Sequence, residues 1–227
     1  MHNESQTLPF LPHEVQQMVQ EFYVLQNRYS AALREVQTKL EILDDEFHTC
    51  HRRNPIHHIE SRIKSVPSIM EKLRRKNLSV SMSSAVDKLY DIAGIRVVCH
   101  YVEDVYTVAD LLTGQDDIKV LAVRDYISHP KANGYRSLHL IVEIPVFLRD
   151  GRVNIPVEVQ LRTIAMDFWA SLEHMMRYKA PGEVPADICR ELQEASCDIA
   201  AIDARMQSLH ERIRSLTAES GDAAPSP

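Results

Sequence analysis

The chain has 227 residues, of which 44% are hydrophobic and 26% charged, and its formal net charge is −6 at neutral pH. This composition is typical of a globular protein with a substantial core, and the acidic balance disfavours a general nucleic-acid binder. No apolar run approaches the roughly 20 residues that cross a bilayer, and the N-terminus lacks a signal-peptide pattern, so we expect a cytoplasmic protein. The four cysteines are scattered, which predicts reduced, buried thiols rather than disulfides or a zinc cluster.

Helical periodicity marks both ends of the chain. Residues 1–12 are polar and predict a loose arm, whereas apolar residues recur every seven positions from about His13 to Phe47, as in a long amphipathic helix or two in tandem. After Pro181-Gly182, apolar residues from Ile188 to Leu216 alternate steps of four and three, which predicts a heptad seam. The Gly-, Ala-, Pro- and Ser-rich tail from Ser220 predicts disorder.

The central part of the chain alternates strand and helix patterns. Arg52–Ile59 is polar and predicts a linker, Pro67 suits the first turn of a helix to about Arg75, and Asn77–Ser84 predicts a loop. Strands are predicted at Ile92–Cys99, Ile118–Val123, Ser137–Pro145 and Val153–Arg162, the last two joined by a turn at Asp150-Gly151. Helices are predicted at Glu103–Leu112 and Ala165–Tyr178. These elements indicate a mixed α/β core between helical ends.

The last predicted strand carries a polar face. Side chains alternate along a strand, so Glu158, Gln160 and Arg162 point one way and the intervening apolar residues the other. Glu158 could ligate Mg²⁺ or accept a hydroxyl proton, and Arg162 could hold a phosphate. A half-exposed strand with a cross-strand ion pair explains the pattern equally well.

The segment before the third strand combines a turn, an aromatic ring and positive charge. Gly134 permits a tight turn, the ring of Tyr135 could stack on a base, and Lys131, Arg136 and His139 could neutralise phosphates. Taken alone, these residues favour a basic hairpin entrance with one core tyrosine.

A basic cluster precedes and includes the helix after Pro67. Ser68, Lys72 and Arg75 fall on one helix face, and Arg62 and Lys64 lie just upstream. Five groups that bind phosphate thus occur within fourteen positions, although an ordinary solvated face has the same composition.

Two polar residues at the first predicted strand are candidates for a functional role. Asp91 precedes it, at a position where a carboxylate is held rigidly enough to bind metal. Arg96 lies within it, and a buried guanidinium there requires an anion or a ring. With six glycines and no G-x-x-x-x-G-K-[ST] loop, a P-loop or Rossmann site is excluded, so cationic side chains must hold any phosphates.

Six segments, taken in order, resemble the RelA/SpoT synthetase family, most closely its single-domain small alarmone synthetases of the RelQ type. They are Ser61–Lys72, Tyr90–Arg96, Arg124–Tyr126, Asn133–His139, Val157–Thr163 and Asp167–His174. The resemblance implies an α+β fold with a mixed-sheet, nucleotidyltransferase-like synthetase core over residues 51–180. It further implies an N-terminal helical region at 1–50 and C-terminal oligomerisation helices at 183–218, before a disordered tail at 219–227.

The resemblance also implies a reaction, in which ATP donates pyrophosphate to the 3′-hydroxyl of GDP or GTP and AMP is released. The implied catalytic residues and Mg²⁺ ligands are Asp91 and Glu158. The implied ATP-binding residues are Arg62, Lys64, Ser68, Lys72, Arg75 and Arg96. The implied guanosine-nucleotide-binding residues are Lys131, Asn133, Tyr135, His139 and Gln160.

Assembly and regulation follow from the resemblance as further expectations. It implies a homotetramer formed through the terminal helices, with (p)ppGpp or single-stranded RNA as candidate regulatory ligands. His58 stands where RelQ-type members often carry an aromatic residue in a product-sensing cleft, which leaves activation by pppGpp open. No His-Asp dipeptide is present, so we expect synthesis without alarmone hydrolysis.

Two alternative functions compete with the hypothesis of a (p)ppGpp synthetase. Toxin-type relatives pyrophosphorylate adenosine nucleotides or the 3′ ends of tRNA, and a non-enzymatic helical regulator or RNA-binding module would use the long helices as its interface.

Overall fold

The computed structural model describes residues 13–50, 53–179 and 184–221, which form six helices and five strands. The helices are α1 (His13–Cys50), α2 (Val66–Arg75), α3 (Met82–Lys88), α4 (Val102–Thr113), α5 (Ile164–Lys179) and α6 (Ala186–Gly221). The strands are β1 (Ile56–Ile63), β2 (Ala93–Cys99), β3 (Lys119–Asp125), β4 (Leu138–Leu148) and β5 (Gly151–Thr163).

The five strands form one mixed sheet in the order β1-β2-β5-β4-β3. Strands β2 and β5 run parallel, and the other three pairs run antiparallel. The β4–β5 hairpin reverses at Gly151, whose φ of +120° lies in the region that favours glycine. The predicted α+β fold is therefore confirmed, with a mixed sheet between long terminal helices.

One face of the sheet holds the hydrophobic core. Val157, Val159 and Leu161 of β5 have no exposed surface and pack in one cluster with residues of α1 and α4. The heptad positions of α1 supply part of that cluster, including Phe22 and Val36, which are also fully buried. Because the apolar side chains of β5 face the helices, its polar side chains line the opposite face of the sheet.

Strand β1 corrects the predicted linker at Arg52–Ile59. It begins at Ile56 and pairs with β2, with an irregularity in register between Ile56 and His58. Polar residues are tolerated in it because it is an edge strand with one face open to solvent. The sequence pattern missed it because its alternation is broken at that irregularity.

Three smaller expectations are also corrected. The predicted loop Asn77–Ser84 overlaps the start of α3 at Met82. The helix can begin there because the Ser81 hydroxyl caps it by accepting a hydrogen bond from Ser84 N. The C-terminal helices are one continuous helix, α6, which includes the first residues of the predicted tail. All four cysteines are free as predicted, but only Cys99 is buried.

The heptad seam of α6 faces outward. Ile202, Met206, Ile213 and Leu216 are 50–64% exposed. The tetramer and the division into domains stay predictions. The predicted arm, residues 1–12, and the tail after Gly221 lie outside the described residues. No helix in the described ranges is long and apolar enough to cross a membrane.

Candidate active site

Two rows of residues cross the polar face of the sheet, because residues paired in register share a face. The first row, from β4 to β1, is His139, Gln160, Arg96 and Glu60. The second row, from β5 to β1, is Glu158, Gly94 and Arg62. Strand pairing thus brings together residues of four strands that are up to about a hundred positions apart in the chain.

A pocket opens over these rows. It is lined by Glu60, Ser61, Arg62, Asp91, Gly94, Ile95, Arg96, Glu158 and Gln160. Five of these are predicted site residues, from both the donor and the acceptor side. Gly94 lies between Arg62 and Glu158, and a Cβ placed on it would meet no atom within 4 Å, so the missing side chain leaves the pocket floor open.

Asp91 lies just before β2 and accepts hydrogen bonds from two lysines. Lys64 Nζ donates to Oδ2 over 2.5 Å, and Lys72 Nζ donates to the same oxygen. Oδ1 is buried and has no hydrogen-bond partner. Burial alone would raise the pKa of Asp91, but the hydrogen bonds and charges of the lysines outweigh it and lower the pKa. The carboxylate is therefore ionised, with one oxygen available.

The remaining predicted phosphate-binding residues lie on α2. Ser68 and Arg75 are exposed on the helix face that carries Lys72, about one turn to either side of it. The Ser68 hydroxyl lies 2.9 Å from that of Ser65, which caps α2. Both residues lie outside the set that lines the pocket.

Arg96 is held by acids on both sides. Its Nη1 lies 3.2 Å from Glu60 Oε2 and 3.4 Å from Asp167 Oδ1. The expectation that an anion meets this guanidinium is confirmed. The expectation of burial is wrong, because the side chain is 32% exposed where β1 and β2 border the pocket.

Glu158 is another carboxylate that lines the pocket. Gln160 Nε2 donates to its Oε2 over 2.9 Å, and His139 Nδ1 lies 3.3 Å from its Oε1. Burial would raise the pKa of Glu158, but these two neighbours outweigh it and lower the pKa. Glu158 is therefore an ionised carboxylate held from both sides.

A hydrogen-bonded chain joins Glu158 to Tyr135. Arg162 Nη2 donates to the Tyr135 hydroxyl over 2.6 Å, which leaves the hydroxyl hydrogen for His139 Nε2 at 2.7 Å. Arg162 also donates to Gln160 over 3.1 Å. Both ring nitrogens of His139 are thus engaged, one by the tyrosine and one by the acid.

The ring of Tyr135 belongs to a cluster of aromatic rings and cations. Lys131 Nζ lies 4.5 Å from the ring centroids of both Tyr126 and Tyr135, and Arg162 Cζ lies 5.1 Å from that of Tyr135. Burial lowers the pKa of Lys131. Asn133 shapes the turn below the ring, because its Oδ1 accepts from Tyr135 N over 3.3 Å and its Nδ2 donates to Glu173 over 3.1 Å.

Sequence reasoning gave Tyr126, Asp167 and Glu173 no part in the site, and it suggested that Arg162 holds a phosphate. Arg162 is only 5% exposed, and its guanidinium contacts Tyr135, Gln160 and Asp167. The one available signal was its strand face, which it shares with Gln160. Its acidic partner comes from the first turn of α5, and no spacing rule predicts that contact.

Two ionised carboxylates among clustered cations, beside a ring suited to stacking, are the parts of a site for nucleotide phosphoryl transfer. Comparison with known proteins specifies the class. Residues 61–183 match the family described as the region found in RelA / SpoT proteins. The chain is 42% identical over 185 residues to GTP pyrophosphokinase YwaC of Bacillus subtilis, a match covering 82% of this chain and 88% of that protein.

Solved structures agree with this match. The small alarmone synthetase 1 of Bacillus subtilis bound to its product pppGpp superposes with a TM-score of 0.80 at 33% identity, covering 86% of this chain and 99% of that one. The same enzyme bound to AMPCPP gives a TM-score of 0.73 at 31% identity, with the same coverage of the two chains. The chain therefore belongs to the RelA/SpoT family and, within it, to the small alarmone synthetases.

Proposed function

We propose that this chain is a GTP pyrophosphokinase that synthesises (p)ppGpp. It transfers pyrophosphate from ATP to the 3′-hydroxyl of GTP or GDP and releases AMP. The observation that carries the proposal is a pocket over one sheet face that is lined by two arginines and by the carboxylates of Asp91 and Glu158, beside the ring of Tyr135. The relative whose structures contain pppGpp and AMPCPP supports the same two kinds of ligand, a guanosine product and an adenine nucleotide.

The donor nucleotide binds at the β1–β2 border. Arg62 and Arg96 face the pocket from neighbouring strands, and guanidinium planes stack well on a purine, so they hold the adenine. The phosphates extend toward Asp91 and the basic helix. The groups that bind them are Lys64, Ser68, Lys72 and Arg75.

The acceptor nucleotide binds at the β4–β5 side, with its guanine on the ring of Tyr135 and its phosphates near Lys131. Gln160 lies beside the acid at the reacting hydroxyl. Asn133 and His139 contribute mainly by position, because their polar atoms already hold the turn, Tyr135 and Glu158.

Mg²⁺ is the cofactor of this proposal, with Asp91 and Glu158 as its protein ligands. The buried, unpartnered Oδ1 of Asp91 suits a hard cation, and Glu158 lines the same pocket. The described residues contain no group of three or more metal-binding side chains, and Mg²⁺ often takes only one or two carboxylates together with substrate phosphates. When bound, the ion would neutralise charge on the transferred phosphates.

The transfer needs an aligned hydroxyl more than a strong base. The 3′-oxygen forms a bond to the β-phosphorus while the bond from that phosphorus to the α,β-bridging oxygen breaks, and AMP leaves with the electron pair. Glu158 accepts the hydrogen bond of the 3′-hydroxyl, and the proton passes through it to solvent. Its lowered pKa makes it a weak base, so its main effect is to orient the hydroxyl and bind the metal.

The same proposal covers assembly, location and regulation. The exposed apolar seam of α6 supports a homotetramer formed through the terminal helices. A cytoplasmic location follows from the substrates, since ATP and guanosine nucleotides are cytoplasmic. The enzyme synthesises alarmone without hydrolysing it, and (p)ppGpp or single-stranded RNA are its candidate regulators.

An acceptor panel tests the proposal. The protein is incubated with γ-labelled ATP and Mg²⁺, together with GDP, GTP, unlabelled ATP or tRNA as the acceptor. We expect label in ppGpp and pppGpp only, and no loss of added ppGpp. Glu158→Gln and Asp91→Asn should each lower the rate by about 100-fold or more while the thermal unfolding transition is retained.

Other outcomes identify the rival classes. Label confined to tRNA or to an adenosine nucleotide would assign the chain to the toxin-type relatives. No transfer to any acceptor, with both carboxylate variants behaving as wild type in nucleotide binding, would favour a non-enzymatic regulator.

A further inference from the structure

The C-terminal helix α6 contacts the turn at Gly134, directly before Tyr135. Ser196, about three turns after the start of α6 at Ala186, is 4% exposed, and its hydroxyl donates to the carbonyl oxygen of Gly134 over 2.5 Å. Gly134 directly precedes Tyr135 in the chain. Ser196, which is 62 positions from Gly134 in the chain, therefore holds the backbone next to Tyr135, whose ring is proposed to bind guanine.

The approach of α6 to this turn is unusually close. Gly134 has a φ of +90°, which residues with a side chain rarely adopt. A Cβ added to Gly134 would also lie 2.7 Å from Ser196 Cβ and 2.9 Å from Ser196 Oγ. Glycine is thus required here for two reasons, the backbone conformation and the space taken by Ser196. The turn at Gly134 and helix α6 therefore pack closely at Ser196.

Neighbouring contacts attach α6 to the same side of the site. Thr163, the last residue of β5, donates its hydroxyl to Asp203 over 2.6 Å, and both residues are buried. Trp169 of α5 donates its indole N–H to the carbonyl of Leu192 over 2.9 Å. These bonds join α6 to the end of the strand that carries Glu158 and to the helix that follows it.

We propose that Ser196 is a positioning residue for the acceptor nucleotide. By holding the Gly134 carbonyl, it fixes the turn and so the direction of the Tyr135 ring. The inference rests on the proposed function of Tyr135 as the guanine platform. It predicts that the hydroxyl of Ser196 contributes to GTP binding and has no effect on ATP binding, because the residues proposed to bind ATP lie on or next to β1, β2 and α2.

The test is Ser196→Ala in the full chain, with Ser208→Ala as a matched control at an exposed position of the same helix. Initial rates of pyrophosphate transfer are measured while GTP and ATP are varied in turn. We expect the KM for GTP to rise about fivefold, the effect of losing one neutral hydrogen bond, with the KM for ATP unchanged. Gly134→Ala, which displaces the turn from the other side, should give the same selective loss for GTP.

The outcomes separate this inference from the proposed function. An unchanged KM for GTP in Ser196→Ala, or an equal rise in both KM values, would overturn the positioning role while leaving the synthetase intact. Loss of the cooperative thermal transition in Ser196→Ala alone would also overturn it, since the contact would then serve folding. Absence of transfer by the wild-type chain would instead contradict the proposed function.

Discussion

Replacing Tyr135 with phenylalanine removes a hydroxyl that accepts from Arg162 and donates to His139, while the ring stays in place. His139 is 8% exposed, so its Nε2 would lose its partner with little access to water. A buried polar group left unpaired costs about 1–3 kcal/mol. The same imidazole holds Glu158 through its other nitrogen, so the cost should fall on the position of the acid. We expect kcat to fall about 5- to 150-fold, with the KM for GTP changed less than about threefold.

Tyr135→Ala provides the contrast, because it removes the ring as well, and it should raise the KM for GTP in addition to lowering kcat. Tyr23→Phe, on the exposed side of α1, is the matched control for loss of a tyrosine hydroxyl. The assay is the initial rate of transfer from γ-labelled ATP to GTP with both substrates varied. A Phe variant that weakens GTP binding as much as the Ala variant and keeps kcat would refute the reasoning, because the hydroxyl would then act on the nucleotide and not on Glu158.

The remaining predictions concern the donor side. Gly94→Val places a branched side chain on the open floor of the pocket, so it should leave the melting temperature unchanged and raise the KM for ATP about tenfold or more, measured in the same assay. Lys72→Met removes one of two cations from Asp91, whose pKa lies below its ordinary value of 3.8. The carboxylate therefore stabilises the fold above about pH 4 and loses this effect as pH falls through the lowered pKa. Melting temperatures across pH should show wild type above Lys72→Met at neutral pH, with the difference vanishing in acid; a constant difference would contradict the ion pair.

Several parts of the fold were predictable because their signals are local. The heptad positions of α1, including Phe22 and Val36, form a buried stripe as their spacing predicts. The alternation of Glu158 and Gln160 with apolar residues correctly predicted a strand with one polar face. The turn at Gly151 followed from residue type alone. Strand β1 was missed because an edge strand with an irregular register has neither a clean alternation nor an apolar run.

The candidate site was predictable as a set of residues but not as an arrangement. The motif order selected the residues, and five of them line one pocket. That Lys64 and Lys72 share one oxygen of Asp91 depends on how β1 and α2 pack beside β2. That both nitrogens of His139 are engaged depends on the register between β4 and β5.

The sequence by itself determined most of the helices and strands, though not β1 or α3, as well as which of their faces are polar and where glycine allows the chain to turn. These properties depend on side-chain volume, polarity and backbone freedom within a few residues. Only the tertiary structure decided which polar faces meet, as with Ser196 of α6 and Gly134, which are 62 positions apart. Such contacts depend on strand register and helix docking, which are set by packing across the whole core and leave no local pattern in the chain.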